Sequence, residues 1–190
     1  MLNLSDKNAA LILIDHQKGW ALTDHWGGNR NNPEAETNAL ALLQQWRQQK
    51  LPIFHVIHAS KETGSPLHPE HWGYEVMDEF KPLDGEPLIV KNVNSGFIGT
   101  DLKSRLEAQG IQTLVIAGLT TNHCVSTTTR MAGNFGFEVY LVADASATFD
   151  RKGLNGEIFP AELVHQTALA SLNEEFATVL NTSELIATTA

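Results

Sequence analysis

Short apolar, strand-like runs alternate with amphipathic, helix-like segments, and this alternation is what most constrains the fold of the chain. The runs cover residues 9–14, 52–58, 87–90, 113–118, 138–143 and 176–180. Predicted helices lie between them, at residues 33–49, 100–109, 122–135 and 160–173. Strands separated by helical crossovers predict a three-layer α/β/α, Rossmann-like fold with a mainly parallel six-stranded sheet. The 190 residues fit one domain, residues 1–190.

Composition excludes several classes of protein. Hydrophobic residues make up 42% and charged residues 18% of the chain, which is typical of a globular domain. A net charge of -9 without a basic cluster predicts that the protein does not bind nucleic acid. The apolar runs are too short to span a membrane, and residues 1–8 show no signal-peptide cleavage pattern, so we expect a cytoplasmic protein.

Asp15, Lys91 and Cys124 each stand at or just past the end of an apolar run. Parallel α/β sheets place their chemistry outside the carboxyl ends of the strands, so these three side chains are expected to converge. Each residue alone also fits an ordinary structural role: a helix N-cap, a solvated lysine or a buried, inert thiol. Together they predict a nucleophile, a base and a cation in one cleft.

Cys124 is the only cysteine, and it opens a predicted helix after the fourth run. The positive end of a helix dipole and the unpaired N–H groups there favour the thiolate. His123 is a poor base for this thiol, because adjacent residues on a helix point about 100 degrees apart. Asp15 is therefore the predicted base, and Lys91 the predicted cation beside it.

Three segments carry a resemblance to a known family: LILIDHQKGW, EPLIVKNVNSGFIGTDL and TLVIAGLTTNHCVSTTTRMAGNFGFEVYLVADASATF. They resemble the isochorismatase-like cysteine hydrolase superfamily, which includes nicotinamidases and N-carbamoylsarcosine amidohydrolases. The shared motifs are Asp15 with Gln17, Lys91 with Ser95 and Phe97, and Gly118 with Thr121, Cys124 and Val125.

This resemblance implies that Asp15, Lys91 and Cys124 form a catalytic triad. It also implies a cis peptide bond between Leu119 and Thr120, which aims the backbone N–H groups of Thr120 and Cys124 at an oxyanion. Dimers or tetramers are known among such relatives, and a homodimer or homotetramer is expected here, with Trp20, Trp26 and Trp72 offering apolar surface.

Neither a metal nor an organic cofactor is expected. Nicotinamidases carry an Asp-x-His motif after the second strand, and this chain has none there. His55 and His58 are an odd number of residues apart, so on a strand they point to opposite faces. His68 and His71 flank Pro69 in an irregular stretch, where solvated or pocket-edge histidines are more common than metal ligands.

The predicted activity is hydrolysis of a small-molecule amide or related C–N bond through a thioester. An alternative within the family is vinyl ether cleavage, for which some relatives lack the cysteine. A non-catalytic nucleotide-binding domain is disfavoured because no glycine-rich motif follows the first strand, and a redox sensor because a second cysteine is missing. Candidates for lining the substrate pocket are Gln17, Trp20, Trp26, Trp72, Asn94 and His123.

Overall fold

Six parallel strands form the central sheet of the structure, a computed structural model that describes residues 4–187. Two further short strands lie outside this sheet. In chain order all strands of the described residues are β1 (Ala10–Ile14), β2 (Ile53–His58), β3 (Leu88–Lys91), β4 (Thr113–Leu119), β5 (Glu138–Ala147), β6 (Arg151–Lys152), β7 (Ile158–Phe159) and β8 (Thr178–Leu180). The sheet order is β3-β2-β1-β4-β5-β8, and β6 and β7 form a separate antiparallel hairpin. The predicted six-stranded sheet is confirmed.

The helices are α1 (Thr23–Trp26), α2 (Ala35–Gln49), α3 (Leu102–Ala108), α4 (Ser126–Asn134), α5 (Ala161–Ala170) and α6 (Thr182–Ile186). The structure also contains 3-10 turns at Lys18–Ala21, Trp72–Tyr74 and Asp78–Phe80, and a π-helical turn at Thr121–Val125. Within residues 4–187, no helix is long and apolar enough to cross a bilayer.

The strand β1 lies at the centre of the sheet and has both faces covered. Ile12 and Ile14 join a core cluster with residues of α3, α4 and α5, whereas Leu11 and Leu13 pack in a second cluster with α2. All five residues of β1 are at most 1% exposed. Such two-sided burial is typical of parallel sheets and gives the three-layer architecture.

The observed elements differ from the predicted ones mainly at their ends. The strands β4 and β5 run to Leu119 and Ala147, beyond their predicted ends, and their pairing shifts register between Ile116 and Gly118. The last strand is shorter than predicted, and α1, α6 and the hairpin were not predicted. These pieces are too short to show a hydrophobic period, and tertiary packing fixes them.

Candidate active site

The carboxyl ends of β1, β3 and β4 bring Asp15, Lys91 and Cys124 together. Lys91 Nζ lies 2.8 Å from Asp15 Oδ2 and 3.3 Å from Cys124 Sγ. Asp15 and Lys91 are fully buried, and Cys124 is 7% exposed. Because β3 is separated from β1 by β2, only a long side chain such as lysine spans the distance to the carboxylate.

Asp15 turns its carboxylate inward through an unusual backbone conformation. Its φ of 54° lies in the left-handed region, which Asp tolerates better than most residues. The backbone is held on both sides: its N–H donates to the Val56 carbonyl, and its carbonyl accepts from Gln17 N–H and Trp20 Nε1. Asp15 therefore has a role different from that of a helix N-cap.

Cys124 is delivered by a tight turn directly after β4. Gly118, near the end of that strand, has a φ of 138°, and a Cβ there would lie 2.0 Å from the Ile14 carbonyl oxygen. Only glycine permits this close approach of β4 to β1. The Leu119–Thr120 peptide bond is cis, as the family resemblance implied. The chain then enters the π-helical turn Thr121–Val125, which holds Cys124 at the start of α4.

His58 also belongs to this cluster, which sequence reasoning missed. Its Nδ1 lies 3.1 Å from Lys91 Nζ, so the three protons of the ammonium group meet Asp15, Cys124 and His58. Burial lowers the pKa of Lys91. Asp15 and Cys124 raise it by more than burial lowers it, so the net shift is upward. Burial and the Lys91 charge lower the pKa of His58, so its neutral Nδ1 accepts the hydrogen bond. The sequence feature that could have indicated His58 is its position at the end of the second predicted strand.

Gln17 fixes the end of β2 rather than lining a pocket. Its Nε2 donates to the carbonyls of His58 (3.0 Å) and Tyr74 (2.9 Å), and its Oε1 accepts from the His58 N–H (2.8 Å). The side chain is fully buried. Gln17 therefore links the loop after β1 to the backbone of His58.

The environment of Cys124 favours the protonated thiol, in opposition to the effect of its helix position. Burial and the Asp15 carboxylate raise its pKa, and they outweigh the opposite effect of Lys91. Asp15 Oδ1 is buried and has no hydrogen-bond partner among the described residues. An Asp15 carboxylate oxygen, a His58 ring nitrogen and Cys124 Sγ lie within 4.8 Å of one another. The thiol therefore stands beside a carboxylate that has an open acceptor.

A cavity of about 200 Å³ opens above the thiol. Its lining includes the predicted residues Trp20, Trp26, Asn94, Thr120 and His123 together with Cys124. His58, Ser60, Ser65 and Leu67 also line it; they were not predicted. The last three come from the long connection after β2, which carries no periodic pattern from which their positions follow.

The predicted tryptophans have different positions. The rings of Trp20 and Trp26 pack against each other with centroids 4.4 Å apart, and Trp20 is only 5% exposed. Trp72 is 51% exposed, contacts His71 and is not among the residues that line the cavity. The apolar surface expected from these three residues is therefore reduced, because Trp20 packs inside the protein.

The histidines that the sequence analysis considered as metal ligands have partners within the protein. His55 Nε2 lies 2.9 Å from Glu86 Oε2, and the Nδ1 atoms of His68 and His71 accept backbone N–H groups of their own turns. Asp15, His58 and Cys124 are close enough to share an ion. However, Lys91 Nζ lies within hydrogen-bond distance of all three, so the position of a central cation is taken by the ammonium group.

Comparison with known proteins defines the class of this chain. The family model for the isochorismatase domain matches residues 9–184, and the chain belongs to this family of hydrolases. It is 44% identical to the isochorismatase family protein YrdC of Bacillus subtilis, over 95% of this chain and 96% of that protein.

Two further similarities concern a structure and a named activity. The crystal structure of an isochorismatase-family protein from Chromobacterium violaceum has a TM-score of 0.93 and 39% identity, covering 99% of this chain and 96% of that one. The ureidoacrylate amidohydrolase RutB of Yersinia enterocolitica is 33% identical over 141 residues, which are 74% of this chain and 55% of RutB.

Proposed function

We propose that the protein is a cysteine hydrolase that cleaves a small-molecule amide or related C–N bond through a thioester. The observation that carries this proposal is the Cys124 thiol, which lines a cavity and lies within 4.8 Å of an Asp15 carboxylate oxygen. In such a pair the thiol is the nucleophile, and the carboxylate is the acceptor for its proton. Similarity to an amidohydrolase supports the same bond type.

In the first half of the reaction, Asp15 takes the proton from Cys124 Sγ as the sulfur attacks the carbonyl carbon. The carbonyl π electrons move to the oxygen, and the backbone N–H groups of Thr120 and Cys124 donate to the oxyanion. The Lys91 ammonium group offsets the negative charge that forms between Asp15 and the sulfur. Forming the C–S bond gives a tetrahedral intermediate.

In the second half, the intermediate collapses and the C–N bond breaks. Asp15 returns its proton to the nitrogen, which leaves as ammonia or an amine, and the acyl group remains on Cys124 as a thioester. Water then attacks the thioester carbonyl while Asp15 accepts a proton. The C–S bond breaks, the sulfur recovers its proton from Asp15, and the carboxylic acid is released.

A panel of small amides tests this proposal through two readouts: ammonia release, and the mass of an acyl group on the peptide that contains Cys124. Cys124→Ala should lower kcat by roughly 10⁴ to 10⁶, because the nucleophile is absent. A matched control is Thr129→Ala, which truncates another buried side chain of the same region, one whose Oγ1 has no hydrogen-bond partner within residues 4–187. Full activity in Cys124→Ala, or vinyl ether cleavage without any acyl-enzyme, would contradict the thioester mechanism.

A further inference from the structure

The cavity above Cys124 carries no charged wall. Among the described residues that line it, none is Asp, Glu, Lys or Arg. Burial and a nearby cation lower the pKa of both of its histidines, His58 and His123, which favours their neutral forms. Behind the cavity, Asp15 and Lys91 form a buried ion pair whose charges cancel.

The cations near the site are not available to an anionic substrate. Lys91 is fully buried and has its three N–H groups directed at Asp15, His58 and Cys124. Arg151, whose charge contributes to the low pKa of His123, is exposed and lines a different groove with Asn122. None of the described residues that line the cavity would therefore give a substrate carboxylate a partner of opposite charge.

The aromatic walls present carbon atoms rather than hydrogen-bond donors. Trp20 Nε1 donates to the Asp15 carbonyl at 2.5 Å, and Trp26 Nε1 donates to the Gly19 carbonyl at 2.9 Å. Both indole N–H groups are therefore committed to the backbone. The two rings offer an apolar surface for the acyl part of a ligand.

The remaining polar groups of the wall are neutral. Ser60 Oγ accepts from the Glu62 N–H, and Ser65 Oγ accepts from the Leu67 N–H, both at 3.2 Å. Each hydroxyl therefore keeps its own proton to donate. Asn94 adds an amide, whose Oδ1 lies 3.9 Å from Cys124 Sγ. Such groups suit an uncharged carbonyl or amide of the substrate.

We infer that this site selects compact amides whose acyl part is uncharged, and that it rejects substrates with a carboxylate. The inference rests on the proposed amide hydrolysis and specifies its substrate class. Burial of a charge without a partner is strongly unfavourable, whereas the two serine hydroxyls and Asn94 can form hydrogen bonds with a neutral polar group. The volume of about 200 Å³ is also below the roughly 300 to 1,000 Å³ of drug-sized pockets, which excludes bulky acyl groups.

Succinamide and succinamate test the effect of substrate charge at nearly constant size. They differ only at one end, which is an amide in succinamide and a carboxylate in succinamate. After correction for its two equivalent amides, succinamide should have a kcat/KM about 100-fold or more above that of succinamate. The variant Ser65→Lys places a cation at the half-buried rim and should raise turnover of succinamate at least about tenfold. Ser65→Gln is its uncharged control of similar length.

Calorimetric binding to the Cys124→Ala variant separates selection from chemistry. If succinamate is cleaved as well as succinamide, or better, charge selection is wrong while amide hydrolysis stands. If neither is cleaved and no acyl-enzyme forms, but the variant binds succinamide and not succinamate, the hydrolysis of these amides fails and charge selection stands. Equal binding of the two compounds, or binding of neither, overturns the inference.

Discussion

Two clusters of similar composition are built around the strand β2, and they differ in how completely their polar atoms are satisfied. His58 at the end of β2 joins Lys91 and Asp15, and His55, on the opposite face, joins Glu86 and Arg47. Each cluster therefore contains a histidine, a cation and a carboxylate. We refer to them as the thiol cluster, which includes Cys124, and the arginine cluster.

In the arginine cluster, every carboxylate oxygen has donors. Glu86 Oε1 accepts from Arg47 Nε, and Oε2 lies within 2.9 Å of Arg47 Nη2, His55 Nε2 and the Leu83 N–H. In the thiol cluster, Asp15 Oδ1 has no hydrogen-bond partner among the described residues, and a carboxylate oxygen of Asp15 lies within 4.8 Å of the Cys124 sulfur. The same kinds of side chain thus form a structural clamp in one place and a candidate reaction centre in the other.

The size of the neighbouring cavity does not indicate which of the two clusters is the candidate reaction centre. A depression of about 600 Å³ lies beside the arginine cluster, and it is larger than the cavity of about 200 Å³ above Cys124. No Cys, Ser or Thr is among the described residues that line the larger one. The comparison indicates that an unsatisfied buried acceptor beside a nucleophile is a better guide to chemistry than volume.

The carboxylates of the two clusters should respond in opposite ways to neutralisation. Asp15→Asn removes the proton acceptor and should lower kcat by roughly 10³. Glu86→Gln should leave kcat within about threefold of the wild type but lower the free energy of unfolding by about 2 kcal/mol, because buried donors lose a charged partner. Steady-state kinetics and urea denaturation measure the two effects. A loss of kcat in Glu86→Gln equal to that in Asp15→Asn would refute the contrast.

The histidines give a smaller version of the same contrast. His58→Ala leaves one Lys91 N–H without an acceptor and should lower kcat by about tenfold, whereas His55→Ala should affect stability and not kcat. His58→Asn, which retains an acceptor oxygen, is the matched control and should recover part of the activity. An unchanged kcat in His58→Ala would show that His58 does not contribute to catalysis.

Acid should weaken the arginine cluster in a defined pH range. Burial by itself raises the pKa of Glu86, but hydrogen bonds from Arg47, the Leu83 N–H and His55 outweigh it and hold the pKa at about 2, against an ordinary value of 4.5. Since the folded pKa is the lower one, this stabilisation is complete above pH 4.5 and is lost as the pH falls towards 2.

Urea unfolding at pH 3 and at pH 6 measures this effect as the difference between the wild type and Glu86→Gln. The difference should be smaller at pH 3. Buried His16, whose pKa burial lowers to about 3, also destabilises the protein as the pH falls below 6.5, but it is common to both proteins and cancels. An equal difference at the two pH values would show that Glu86 does not titrate in this range.

Metal removal should have the smallest effect. Lys91 Nζ occupies the position between Asp15, His58 and Cys124 that a cation would need. Exhaustive chelation should therefore leave amide hydrolysis unchanged, with turnover before and after dialysis as the measurement. Activity that disappears on chelation and returns with zinc or manganese would show that an ion displaces the lysine.

The fold was predictable because its signals are local. Buried strands read as apolar runs, and the helices between them read as amphipathic segments, so the sheet follows from patterns of a few residues each. The short elements α1 and α6 and the hairpin of β6 and β7 lack such a period. The helix start that favours a Cys124 thiolate is visible in the sequence, whereas the burial and the Asp15 charge that raise the pKa of Cys124 come from distant segments.

The sequence by itself determined that Asp15, Lys91 and Cys124 meet, because parallel strands deliver the residues at their carboxyl ends to one edge of the sheet. Only the tertiary structure decided the rest of the site. The strand order places β2 between β1 and β3, so His58 lies beside Lys91, and Gln17 fixes its backbone. Hydrogen bonding and burial depend on distances between remote segments, which no local pattern encodes.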